Sequence, residues 1–126
     1  MNRKSVFRHR RRPSLWLAAA TMAVSAQAFA GPLLVPEIPI DRAIDAVYRC
    51  PGGKSFKVTY LNGRNGQSFA LMTVKGVPTL LVSTMSADGV RYQGGFVTWW
   101  SKGRGGDLYD ARVDPNRPVL RGCTSK

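Results

Sequence analysis

The sequence predicts an all-β domain built as a small eight-stranded antiparallel barrel, and three observations carry that reading. Short segments rich in β-branched and aromatic residues recur along most of the chain. Glycine-bearing turn signals separate them, and no segment keeps a convincing helical period.

The elements follow in order. Residues 1–30 are expected to be a signal peptide: Arg3, Lys4, Arg8, Arg10, Arg11 and Arg12 come first without an acid, and an uncharged run from Leu15 to Ala30 follows. That run is short against the roughly 20 apolar residues of a membrane-spanning helix. Ala28-Phe29-Ala30 supplies the small-x-small pattern read by a signal peptidase, which puts cleavage before Gly31 and general secretion ahead of the twin-arginine route. A lipid anchor would need Cys at the first processed position, where this chain has Gly31. Residues 31–44 carry Pro32, Pro36 and Pro39 among isolated apolar residues and read as an extended arm.

The folded domain is then expected at 45–126, with strands near 46–50, 55–61, 67–74, 79–84, 90–93, 96–100, 107–109 and 119–123. Turn signals between them include Pro51-Gly52-Gly53, Asn62 to Gly66, Lys75-Gly76, Asp88-Gly89 and Lys102-Gly103. Phe56, Val58 and Tyr60 share one strand face while Lys57 and Thr59 take the other. Trp99 and Trp100 must likewise point to opposite faces. Closure into a barrel removes the edges that a secreted sheet would otherwise expose.

A domain of this size buries only about two thirds of its unfolded surface, so further stabilisation is expected. The chain has two cysteines, and in an oxidising compartment an even count is normally paired. With two, the bridge is Cys50–Cys123.

Several function classes drop out. The sole histidine, His9, falls in the expected signal, and paired cysteines leave no thiolate. No imidazole or thiolate is then available as a catalytic group or metal ligand, so neither metal nor cofactor is expected. Asp88, Asp107, Asp110 and Asp114 are formally available as a glycosidase pair, but Asp88 stands in an Asp-Gly turn and Asp114 precedes Pro115-Asn116, positions suited to local backbone hydrogen bonds. No catalytic residue is assigned and an enzyme is not expected. After removal of residues 1–30 the formal net charge falls from +12 to +6, with the remaining bases dispersed, so no nucleic-acid partner is expected either.

Four sequence features together resemble a known family. They are Tyr48-Arg49-Cys50-Pro51-Gly52-Gly53, the stretch from Ser86 to Tyr92, the stretch from Val97 to Gly103, and Cys123. The chain resembles the membrane-bound and periplasmic inhibitors of c-type lysozyme from Gram-negative bacteria, over roughly Tyr48 to Cys123. The resemblance implies an eight-stranded antiparallel barrel, a c-type lysozyme as protein partner and no cofactor. It further implies that a Ser-Gly-x-x-Tyr loop and a Tyr-x-x-x-Thr-Lys-Gly loop enter the lysozyme groove, the serine hydroxyl and lysine ammonium meeting the catalytic carboxylates. Carried onto this chain, the lysozyme-binding residues are Ser86, Asp88, Gly89, Arg91, Tyr92, Ser101, Lys102 and Gly103. Asp88 replaces the serine, Val97 the tyrosine and Ser101 the threonine.

With Gly31 first, the chain fits the soluble periplasmic branch. A net +6 repels the usually cationic animal c-type lysozymes at long range, so association is expected to stay flat or quicken with added salt. The alternative reading is a periplasmic glycan- or polyanion-binding module, with an exposed tryptophan stacking on sugar and dispersed bases holding acidic groups. The oligomeric state is left open.

Overall fold

A computed structural model describes residues 31–126; the expected signal peptide and the residues on its side of the cleavage position lie outside the described residues. Eight antiparallel strands run as β1 (Ile40–Arg49), β2 (Ser55–Gly63), β3 (Ser68–Val74), β4 (Val77–Thr84), β5 (Val90–Gly94), β6 (Val97–Lys102), β7 (Gly105–Asp110) and β8 (Leu120–Ser125). Each pairs with its sequence neighbours, and β1 pairs with β8 to close the barrel. The predicted class and strand number therefore hold.

One boundary is corrected. The stretch from Ile40 to Ile44, read as part of an extended arm, belongs to β1 and pairs with β2 from Ile40↔Gly63 onwards. Pro39 sits just outside the ladder, where its missing N–H costs nothing, and its carbonyl accepts a bond from the Arg64 N–H at 3.1 Å. The alternation that would have revealed this half-strand is absent because its residues are exposed on both faces.

Trp99 organises the interior and is fully buried. Tyr48 and Phe56 meet its ring edge-on, at centroid distances of 4.7 and 5.3 Å. Its indole N–H donates to the Tyr60 hydroxyl at 2.8 Å, and the Tyr60 and Tyr48 hydroxyls are also 2.8 Å apart. Burial of so large a side chain is worth on the order of 4–6 kcal/mol as an upper figure, and the bonded N–H avoids the cost of an unpaired donor. Burial also pushes the Tyr60 phenol well above its ordinary pKa. The glycine of β7 nearest this ring, Gly106, leaves space that a methyl group would take from Trp99 itself.

The closing seam is thin: β1 and β8 share the pairs Tyr48↔Ser125 and Arg49↔Thr124. The Cys50–Cys123 disulfide lies beside it, joining residues 73 apart in sequence. A loop of that length gives on the order of 4 kcal/mol in the chain-entropy account.

Turns alternate between the barrel's two ends. At the end holding the β3–β4 turn, Asp110 is buried while its carboxylate takes Arg112 Nε at 2.8 Å and Nη2 at 2.9 Å, the Arg112 backbone N–H at 3.1 Å, and Lys75 Nζ at 3.3 Å. The hydrogen bonds from Arg112 hold this carboxyl well below its ordinary range. In the unfolded chain the same group protonates at a higher pH, so its stabilisation is complete above the usual carboxylate range and is lost as pH falls towards the native value. We expect Asp110→Asn to lower Tm by several degrees at pH 7 and the gap to wild type to narrow progressively as pH falls below the ordinary carboxylate range. Thermal unfolding across that range checks this, and a constant offset would contradict it.

Candidate functional site

The β4–β5 connection (85–89) and the β6–β7 turn (103–104) fall at the same end of the barrel, because strands of a meander alternate in direction. Registers Val90↔Ser101 and Arg91↔Trp100 bring the two segments side by side. Gly89 makes the approach possible. Its φ of +62° is left-handed, and a methyl group there would overlap the backbone carbonyl of Ser101.

Three polar contacts lock the first loop. Ser86 Oγ lies 2.9 Å from the carbonyl oxygens of both Asp88 and Gly89 and shares its proton between them. The Trp100 indole N–H donates to the Asp88 carbonyl at 2.8 Å, tying the loop to β6. These bonds leave the Asp88 carboxylate free of the backbone and pointing outward.

That carboxylate faces Lys102. Asp88 Oδ2 and Lys102 Nζ are 3.7 Å apart, with the side chains 74% and 46% exposed. The ammonium also lies 3.9 Å from the centroid of the Trp100 ring, and the Arg91 guanidinium carbon lies 5.3 Å from the same centroid. An ion pair this exposed is worth about 0–1 kcal/mol and exchanges readily for a better partner. The site thus offers a positioned ammonium held by weak, replaceable contacts.

Of the residues expected to form one surface, the fold brings together Ser86, Asp88, Gly89, Arg91, Lys102 and Gly103; Ser101 is corrected, since it lies between the outward Trp100 and Lys102 and takes the inward face of β6 opposite Val90. Tyr92 is corrected likewise: it points into the barrel, is 5% exposed, and packs against Tyr60 at a centroid distance of 5.4 Å. It supports β5 from within, and burial raises its phenol pKa. Of the two adjacent tryptophans, Trp99 is the core one and Trp100 the surface one.

Two residues at this end stand outside the expected lysozyme-binding set, one of them the outward tryptophan that the alternative reading would stack on sugar. Trp100 is the hub of the site, and Met85, 96% exposed, stands at the rim of an open depression lined by Ser86, Ala87, Arg91 and Trp100. The signal for Trp100 was the Trp99-Trp100 pair itself, since one of the two had to face outward. Among the described residues no cluster of His, Cys, Asp and Glu could hold a metal ion.

Comparison with known proteins bears on this arrangement. A family model described as membrane-bound lysozyme-inhibitor of c-type lysozyme matches residues 48–117. A protein of Cupriavidus necator named membrane-bound lysozyme inhibitor of C-type lysozyme is 44% identical over 80 residues, covering 63% of this chain and 63% of that protein. A protein of the same name from Pseudomonas aeruginosa is 39% identical over 69 residues, covering 54% and 52%. The match thus spans less than two thirds of either relative.

Among solved structures, that of Pseudomonas aeruginosa MliC in complex with hen egg white lysozyme aligns at a TM-score of 0.60 and 27% identity, over 79% of this chain and 99% of that one. PliC-St, the periplasmic lysozyme inhibitor of C-type lysozyme from Salmonella typhimurium, aligns at a TM-score of 0.60 and 19% identity, over 68% and 99%, and shares the fold.

The loop packing makes a prediction of its own. Gly89→Ala is expected to cost about 1–3 kcal/mol and to perturb Trp100 fluorescence, since it adds a backbone overlap to left-handed strain. Gly103→Ala has the same strain, with φ at +55°, but open space around it, and should cost about 1–2 kcal/mol without a spectral change. Denaturant melts and emission spectra of both variants check the contrast.

Proposed function

Because the chain belongs to the family of membrane-bound lysozyme inhibitors of c-type lysozyme, we propose that it inhibits a c-type lysozyme by occluding the active-site groove with the loops 86–92 and 97–103. The observation that carries this reading is the exposed Lys102 ammonium, set by Trp100 and Asp88 at the end of the barrel where the two loops meet. A c-type lysozyme presents one protonated and one ionised carboxyl at the bottom of its groove. Lys102 would exchange Asp88 for the ionised carboxylate, gaining a charge-assisted bond in a site closed to water. Asp88, released, can then accept a hydrogen bond from the protonated acid. Trp100 keeps the ammonium at the loop end, and Ser101 and Gly103 shape the turn beside it.

The reading extends to location. A chain processed before Gly31 carries no lipid anchor and would work in the periplasm, although the relatives from Cupriavidus and Pseudomonas are named membrane-bound. Support comes from Ala28-Phe29-Ala30 and from glycine, not cysteine, at position 31. N-terminal sequencing of the protein recovered from a Gram-negative host should start at Gly31. A start at Met1, or recovery with the membrane fraction only, would argue against processing and release.

The inhibitor reading is tested by titrating c-type lysozyme with the oxidised protein and following residual muramidase activity. Stoichiometric loss of activity is expected. Lys102→Ala should weaken inhibition by tens- to thousands-fold, the effect of removing one partner of a desolvated charge pair worth about 2–5 kcal/mol. Asp88→Ser, which removes the competing carboxylate and supplies a hydroxyl, should improve inhibition up to severalfold. Full inhibition by Lys102→Ala would remove these loops from the mechanism.

A further inference from the structure

The outer face of β5, β6 and β7 carries a second feature, which shares Arg91 and Trp100 with the loop site and extends away from it. Outward rows follow from the registers: Arg91 beside Trp100, then Gln93 beside Thr98 beside Tyr109. These rows and the β7–β8 connection, through Asn116, line an open groove of about 410 Å³. That volume lies within the roughly 300–1,000 Å³ typical of small-ligand sites.

Its chemistry is selective. Tyr109 offers an aromatic face, Gln93 and Asn116 offer planar amides, and no carboxylate is among the groove's lining residues. Thr98, at 8% exposure, brings a hydroxyl to the floor. Arg91 is half-buried at the groove's end, where its guanidinium lies 5.3 Å from the centroid of the Trp100 ring. Asn116 is positioned in advance, because the Asp114 carboxylate accepts from the backbone N–H groups of Asn116 and Arg117 at 2.8 and 3.1 Å.

From this we infer that the groove is a saccharide-binding site for a carboxylate-bearing, N-acetylated oligosaccharide, the chemistry of bacterial wall glycan. A pyranose face stacks on Tyr109, acetamido groups pair with Gln93 and Asn116, and a sugar carboxylate takes the guanidinium of Arg91. Other ligand classes fit less well. A nucleic acid needs a track of cations, and a single one lines this groove. A peptide adding as a strand needs a free sheet edge, and this groove lies over β6, which is paired along both sides with β5 and β7. The groove starts at the row holding Arg91 and Trp100, so a glycan bound there would lie next to the lysozyme-facing loops. Such a site would hold the inhibitor on the polymer that a lysozyme attacks.

The test is calorimetric titration of the oxidised protein with a tetrasaccharide of alternating N-acetylglucosamine and N-acetylmuramic acid. Chitotetraose serves as the uncharged control, and polyphosphate and an oligothymidylate as charge controls. Saturable binding of the muramic tetrasaccharide is expected, at least severalfold tighter than chitotetraose. Tyr109→Ala and Asn116→Ala should each weaken it tenfold or more while leaving lysozyme inhibition intact. Asn116→Ala lies in a connection and carries the test if Tyr109→Ala fails to fold. Absence of saturable binding, binding indifferent to both variants, or tighter binding of either charge control would overturn the inference. Lysozyme inhibition is measured separately, so the failure of either reading leaves the other standing.

Discussion

The structure depends on burying Trp99. A 96-residue stretch with eight short strands has room for few large side chains in its interior, and this indole occupies the centre, where Tyr48, Phe56 and Tyr60 surround it and the glycine at 106 makes space for it. A strand has a side-chain period of two, so placing Trp99 inward sends Trp100 and Lys102 outward on one face. A slip of one residue in β6 would bury the lysine and expose the core. The same interaction that makes the barrel stable thus positions the ammonium at its rim.

The two ends of the barrel use charge in opposite ways. At one, Asp110 is buried and saturated by Arg112 and Lys75, so its ionised state is built into the fold. At the other, Asp88 and Lys102 are exposed and joined by one long contact. A committed carboxylate stabilises a structure, and an uncommitted one can change partners. The loop backbone, held by Ser86 and Trp100 through carbonyl oxygens, keeps its shape whichever partner the Asp88 side chain takes.

Much of this was legible in the sequence. Alternation in β2, the glycine turns and the cysteine count gave the barrel and its bridge, because each rests on local backbone preference or on arithmetic. The first half of β1 was not legible, since residues such as Ile40 and Ile44 are exposed apolar groups that blur the inside-outside pattern. Nor was the pairing of Asp88 with Lys102, which needs the register of β5 on β6 and not the composition of either turn. Tyr92 shows the limit of a motif: its match to the family pattern said nothing of which face of β5 it occupies. The groove along Gln93, Thr98 and Tyr109 has no sequence signature, because its rows come from three strands brought together only by the fold.

The thin β1–β8 seam has a consequence for how the chain assembles. Every other pairing joins neighbours in sequence, so hairpins can form with short loop closures and little entropic cost. The seam alone requires two ends more than seventy residues apart to meet. Closure is therefore the natural last event, and until it occurs both terminal strands present open edges that invite other chains. Oxidation of the two cysteines, which come within reach only when those edges meet, turns a reversible docking into a permanent one and gives the molecule a covalent record of having finished folding.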